Sequence, residues 1–140
     1  MFELNIVEKV MALEAVELLR NLSPQQLARI ASIAREVKYP PDKLIIDPEQ
    51  PAHALYVIVD GAVEISRKDE ILLTAHQNEV LGAWALFDED LLPVTARTIE
   101  DTKLLRIARE DFYDLLSDNA EITAAIFSTL VKRFKKLVEM

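Results

Sequence analysis

Side chains able to do chemistry are few and scattered in this 140-residue chain. His53 and His76 are the only histidines, and there is no cysteine. A metal site built on nitrogen or sulfur needs several ligands at close spacing, and neither histidine has a companion. No metal is therefore expected, disulfides are excluded, and both histidines read as surface or rim residues. No serine, histidine and carboxylate fall into a recognisable nucleophile motif, so the chain does not read as an enzyme. Asp88, Glu89 and Asp90 could hold a cation, but such a run is more often a solvated turn after a short helix. Trp84, the single tryptophan, can stack on a base or an apolar ligand, or simply fill interior space; the second is the plainer reading. Lys132, Arg133, Lys135 and Lys136 form the one basic cluster. Positive charge in the last turns of a helix complements its dipole, and a membrane-surface contact is the weaker alternative.

The net charge of −8 repels phosphate backbones, so no nucleic acid partner is expected. The N-terminus, MFELNIVEKV, lacks the basic start and apolar run of a signal peptide. No apolar stretch approaches the roughly 20 residues that span a bilayer. The expectation is a cytoplasmic protein with no membrane span.

The elements that must position any site read as helix at both ends and strand between. Val10, Leu13, Val16, Leu18, Leu19 and Leu22 are apolar at mostly helical spacing. Ser23-Pro24-Gln25-Gln26 starts a second helix: Ser23 can cap, Pro24 suits the first helical position, and Gln26 completes a capping box. Leu27, Ile30, Ala31, Ala34 and Val37 continue its buried face. Residues 44–46, 55–59, 62–67, 71–76, 94–99 and 103–107 are short strand-like runs separated by turn residues. Among those turns, Asp60-Gly61 is a strong tight-hairpin signal. Many short strands with frequent turns indicate a sandwich, barrel or jelly roll. After a loop and short helix over 82–90, a short helix over 109–116 leads to a longer one reaching Val138, capped by Asp118 or Asn119. Its stripe is Ile122, Ile126, Leu130, Phe134 and Leu137. With no repeat, low-complexity tract or linker, 1–140 reads as one domain: helices over 1–37, a barrel over 38–108 with a short helix near 83–88, and helices over 109–140.

The run Leu55-Tyr56-Val57-Ile58-Val59-Asp60-Gly61-Ala62-Val63-Glu64-Ile65 resembles the central hairpin of the cyclic-nucleotide-binding domain family. That family includes bacterial catabolite activator proteins, protein kinase A regulatory subunits and nucleotide-gated channels. Leu81-Gly82-Ala83-Trp84-Ala85-Leu86, then Pro93-Val94-Thr95-Ala96, resembles its phosphate-binding cassette. Residues 99–107 and Glu110-Asp111-Phe112 resemble the strands and helix that come after the cassette. The resemblance implies a mainly β fold: a double-stranded β-helix, or jelly-roll, barrel of about eight strands with flanking helices. It also implies a regulatory module in signal transduction rather than a catalyst.

The family's cassette sets a cyclic phosphate at a helix N-terminus, pairs it with an arginine and holds the ribose 2′-hydroxyl with a glutamate. Here the resemblance puts Ala83 at the glutamate position and Val94 at the arginine position. Gly82 is retained. Ala83, Trp84 and Ala85 can still offer N–H groups, Thr95 a hydroxyl and Ala96 a small side chain. Losing both charged side chains costs roughly 3–6 kcal/mol, or about a hundred- to ten-thousand-fold in affinity. Arg97, the nearest substitute, lies on the opposite strand face from Val94, because side chains alternate; Arg67 and Lys68 sit at a hairpin surface. Weak or lost binding of cyclic AMP and cyclic GMP is therefore expected, with no cofactor required. Two roles stay open for Ile122, Ile126, Leu130 and Phe134: a homodimer seam, or packing on the barrel. The alternative to a sensor is a structural dimerisation or protein-interaction domain with a closed, ligand-free pocket. The run Ile6-Val7-Glu8-Lys9-Val10-Met11-Ala12-Leu13 looks like segments that precede this domain in larger transporter or helical-repeat proteins, which implies a parent or partner protein.

Overall fold

The computed structural model describes residues 3–87 and 94–139, with Trp84 in its backbone alone. Three helical pieces lead in: α1 (Ile6–Leu13), a 3-10 turn (Glu17–Leu19) and α2 (Pro24–Ile33). Asn5 caps α1 in a reciprocal box with Glu8, at 2.8 and 3.1 Å. Ser23 and Gln26 do the same for α2, with Pro24 at its start, as the spacing predicts. The first apolar stripe is not one helix, however. The chain turns extended at Val16, and Leu13, Val16, Leu19 and Leu22 reach one core from separate turns. Periodic burial does not demand continuous hydrogen bonding.

Eight strands come next: β1 (Arg35–Tyr39), β2 (Leu44–Ile46), β3 (Ala54–Asp60), β4 (Val63–Arg67), β5 (Glu70–Ala75), β6 (Val80–Leu81), β7 (Thr95–Thr98) and β8 (Thr102–Ala108). They form two four-stranded antiparallel sheets, ordered β1-β8-β3-β6 and β2-β7-β4-β5. Helices α3 (Arg109–Asp118) and α4 (Ala120–Val138) close the order. This is the eight-stranded barrel with flanking helices that the sequence implies. Val37 corrects the expected helix boundary: α2 stops at Ile33, and Val37 sits on β1 opposite Leu104. Strand pairing with β8 overrides a spacing that suits either structure.

The Asp60-Gly61 signal marks a turn but not a hairpin. Gly61 has φ +111°, and a Cβ there would lie 2.6 Å from Thr102 Oγ1, so the turn needs glycine. Yet β3 and β4 do not pair; the Asp60-Gly61 turn carries the chain from one sheet to the other. The true hairpin joins β4 to β5, through Lys68 and Asp69 at φ 50° and 67°. Asn119 sits at the α4 start without capping it. Its side-chain amide donates to Leu115 O at 2.7 Å, and its oxygen accepts from Arg29.

The first sheet separates two apolar clusters. Leu55, Val57, Leu105 and Ile107 face the helices and pack with Leu13, Ile30, Phe112 and Ile122. Ile58 and Leu104 face the second sheet and pack with Ile46, Val63, Ala75, Leu81 and Ala96. Alternation along β3 and β8 thus assigns each side chain to the helical layer or the barrel.

Candidate functional site

β6 delivers Leu81 into the barrel and ends at Gly82, which has φ +74°. A Cβ at Gly82 would stand 2.9 Å from Ala54 O, so backbone passes close to backbone here. A 3-10 turn, Ala83–Leu86, comes directly after. Its shape comes from burial: Ala85 and Leu86 are both 1% exposed, and Leu86 belongs to the helical-side core. Phe87 meets Phe112 edge to face at 6.0 Å. The Ala85 N–H donates to Gly82 O at 2.9 Å, so of the three amides expected for a ligand this one is already used. The Trp84 side chain, Pro93 and the run Asp88-Glu89-Asp90 lie outside the described residues.

Val94 is half-buried against the barrel cluster, next to the fully buried Ala96. Thr95 opposes Ser66 and shares a strand face with Arg97, away from Ala96. The Arg97 side chain is 42% exposed and bonds outward, 3.4 Å from Asp42 Oδ1 and 3.3 Å from Asp42 O. It is a solvated surface pair of little energetic weight. The expectation that Arg97 turns away from the Val94 side therefore matches the geometry. Arg67 and Lys68 are exposed at the hairpin, and His53 and His76 are exposed at the surface.

One row of barrel-facing side chains has no counterpart among the sequence expectations. Across the first sheet, Arg35 opposes Arg106, Arg106 opposes Tyr56, and Tyr56 opposes Leu81. Arg106 is two residues from the barrel-facing Leu104, and Tyr56 two from Ile58, so the row faces the barrel. Tyr39 and Tyr56 both pack on the barrel cluster. Burial, helped by Tyr56, raises the Tyr39 phenol above its ordinary pKa, and Arg106 partly offsets this. Alternation in Leu104-Leu105-Arg106-Ile107 was the signal available: an arginine where the pattern calls for an inward residue.

On the helix-facing side, Glu36 lies beside β8. Its carboxylate accepts from Leu4 N–H at 2.8 Å and stands 3.4 Å from Lys103 Nζ. Burial raises its pKa, but the Leu4 N–H and Lys103 outweigh burial and hold it below the ordinary value.

The C-terminal stripe divides. Ile122 and Ile126 are 1% and 3% exposed and belong to the chain's own helical-side core, so they are not free to form a seam. Thr129 joins them, its hydroxyl receiving the Asn21 amide at 2.9 Å. Leu130 and Phe134 are exposed, with Phe127, Val131 and Leu137 beside them. They do not pack on the barrel. No described helix is long and apolar enough to cross a membrane, and no cluster among the described residues could hold a metal ion.

Comparison with known proteins accounts for this architecture. Residues 36–119 match the family model described as the cyclic nucleotide-binding domain. The chain is similar to a cGMP-dependent protein kinase of Drosophila melanogaster, with 31% identity over 126 residues. That match covers 88% of this chain and 12% of the kinase. It is 30% identical over 112 residues to the cAMP-dependent protein kinase regulatory subunit of Aspergillus fumigatus, covering 79% of this chain and 27% of the subunit. The chain thus spans less than a third of either relative's length. Among solved structures, the N-terminal domain of a transcriptional regulator from Streptomyces coelicolor A3(2) superposes with a TM-score of 0.84 at 23% identity. That match covers 90% of this chain and 94% of the other. With the barrel, the glycine turn and a family match over more than half its length, the chain belongs to the cyclic nucleotide-binding domain family.

Proposed function

We propose that 1–140 is one cytoplasmic regulatory or sensor domain in which binding of cyclic AMP and cyclic GMP is weak or lost, and that it works coupled to a larger protein of transporter or helical-repeat type. The observation that carries this reading is Val94. The resemblance puts the cassette's guanidinium at this position; here an apolar side chain packs on the barrel cluster, and Arg97, the substitute nearest in sequence, bonds outward to Asp42. The resemblance puts Ala83 at the position of the ribose-binding carboxylate, and the Ala85 amide is committed to Gly82. What remains for an anion at the cassette is a short run of backbone dipoles. The relatives carry their matching segments inside much longer chains, which supports the coupling to a partner. Isothermal titration with cyclic AMP and cyclic GMP is expected to give sub-millimolar affinity or weaker. Micromolar binding of either nucleotide would sink the reading.

The exposed end of α4 favours a second role alongside the first. Phe127, Leu130, Phe134 and Leu137 succeed one another at three, four and three residues, the spacing of a two-helix seam. We read this segment as the homodimer contact, in place of the four-residue stripe starting at Ile122. Light scattering should show a dimer that Phe134→Asp dissociates; a chain that stays monomeric at high concentration would remove this role.

A further inference from the structure

We propose that the Arg106 guanidinium, flanked by Tyr56 and Arg35 on the barrel-facing side of the first sheet, is an anion-binding pole that takes an oxyanion borne on an organic body. This rests on reading the barrel as a ligand-binding module, and it assigns the charge recognition to a residue outside the cassette.

Three observations converge. The first is position. The row Arg35, Arg106, Tyr56, Leu81 ends at the residue before Gly82, so the guanidinium and the glycine turn lie at one end of the barrel. The second is electrostatic. Arg35 and Arg106 are directly opposed across strands, and like charges so placed destabilise a sheet. The chain carries 24 acidic residues, yet among the described residues neither guanidinium has an ion pair or hydrogen bond. Two arginines side by side, without a counter-charge among the described residues, leave a place for an anion. The third is chemical. Arginine presents a planar fork of donors that matches a phosphate or a carboxylate. The Tyr56 and Tyr39 rings pack on the barrel cluster, and Tyr39 lies within electrostatic reach of both Tyr56 and Arg106.

The experiment tracks the melting temperature of the full chain with millimolar cyclic AMP, benzoate or adenosine, at constant ionic strength. Cyclic AMP and benzoate distinguish a phosphate from a carboxylate, and adenosine is the uncharged control. At least one anion should raise the melting temperature, and adenosine should not. Arg106→Gln should weaken the responding anion about ten- to a hundred-fold, while Arg97→Gln on the outer face leaves it unchanged. Without ligand, Arg106→Gln should be as stable as the parent or more so, because it relieves the repulsion from Arg35. The proposal is overturned if neither anion acts, if Arg106→Gln keeps the full response, or if that variant is destabilised without ligand. If benzoate acts through Arg106 and cyclic AMP does not, the pole stands without the nucleotide. If cyclic AMP binds unaffected by Arg106→Gln, the pole falls and the cassette carries the binding.

Discussion

The two faces of the first sheet bear opposite kinds of side chain, though they alternate along the same strands. On the helix side, Leu55, Val57, Leu105 and Ile107 join Phe112, Leu13 and Ile122 in a cluster whose members are almost wholly buried. On the barrel side, Ile58 and Leu104 are equally buried, but in the row beyond them Arg35 is exposed and Arg106 and Tyr56 are half-buried. One face is mostly packing and pairs the charge it carries, Glu36 with Lys103. The other interrupts its packing with charge and hydroxyls that add nothing to a core. The difference teaches how charge is divided between the two faces: the helix side pairs its carboxylate with a lysine, whereas Arg35 and Arg106 on the barrel side have no ion pair among the described residues, which is why the anion site is proposed there.

The comparison breaks most visibly on the helix side. Phe112 is fully buried and touches Phe87, so Phe112→Ala should cost about 3–5 kcal/mol, measured by denaturant unfolding. A loss near that of a surface substitution would deny the cluster its stabilising role. A smaller effect belongs to the turn between the faces. Gly82→Ala forces a side chain into φ +74° and against Ala54 O, and should cost roughly 1–3 kcal/mol. An unchanged melting temperature would mean that the turn is not held as described.

The smallest effect concerns the Glu36 carboxylate. Its folded pKa lies below the ordinary 4.5, so it stabilises the fold above that pH and loses this contribution as pH falls through the folded pKa. The stability gap between the parent and Glu36→Gln should therefore be present near neutral pH and close in acid, read from melting temperatures across the range. A gap that stays constant into acid would show that Glu36 acts by shape rather than charge.

Much of the fold was legible in the chain. Ser23-Pro24-Gln25-Gln26 specified its helix start because capping is a local matter of three or four residues. Six strand-like runs coincide with strands, because β-rich runs bounded by turn residues have few other ways to fold. β6 escaped notice because two residues make no pattern. The hairpin at Asp60-Gly61 misled because positive φ defines a turn but not the strands' partners. At the candidate site, Val94 and Arg97 were legible through alternation. Arg106 was not, because its significance lies in Arg35 and Tyr56, which are distant in sequence and adjacent only across the sheet.

The C-terminal helix makes the same point in one element. Ile122, Ile126, Leu130 and Phe134 look alike in sequence, yet the first pair is core and the second surface.

The order of residues by itself settled the composition of the barrel, the helices that flank it and the glycine turn. These are matters of local conformational preference and side-chain identity, which the chain carries wherever it goes. Only the tertiary structure decided which face each strand residue serves, which arginines stand opposed, and where the last helix leaves the core. Those depend on pairings between segments tens of residues apart, and no local preference encodes which strand will lie beside which.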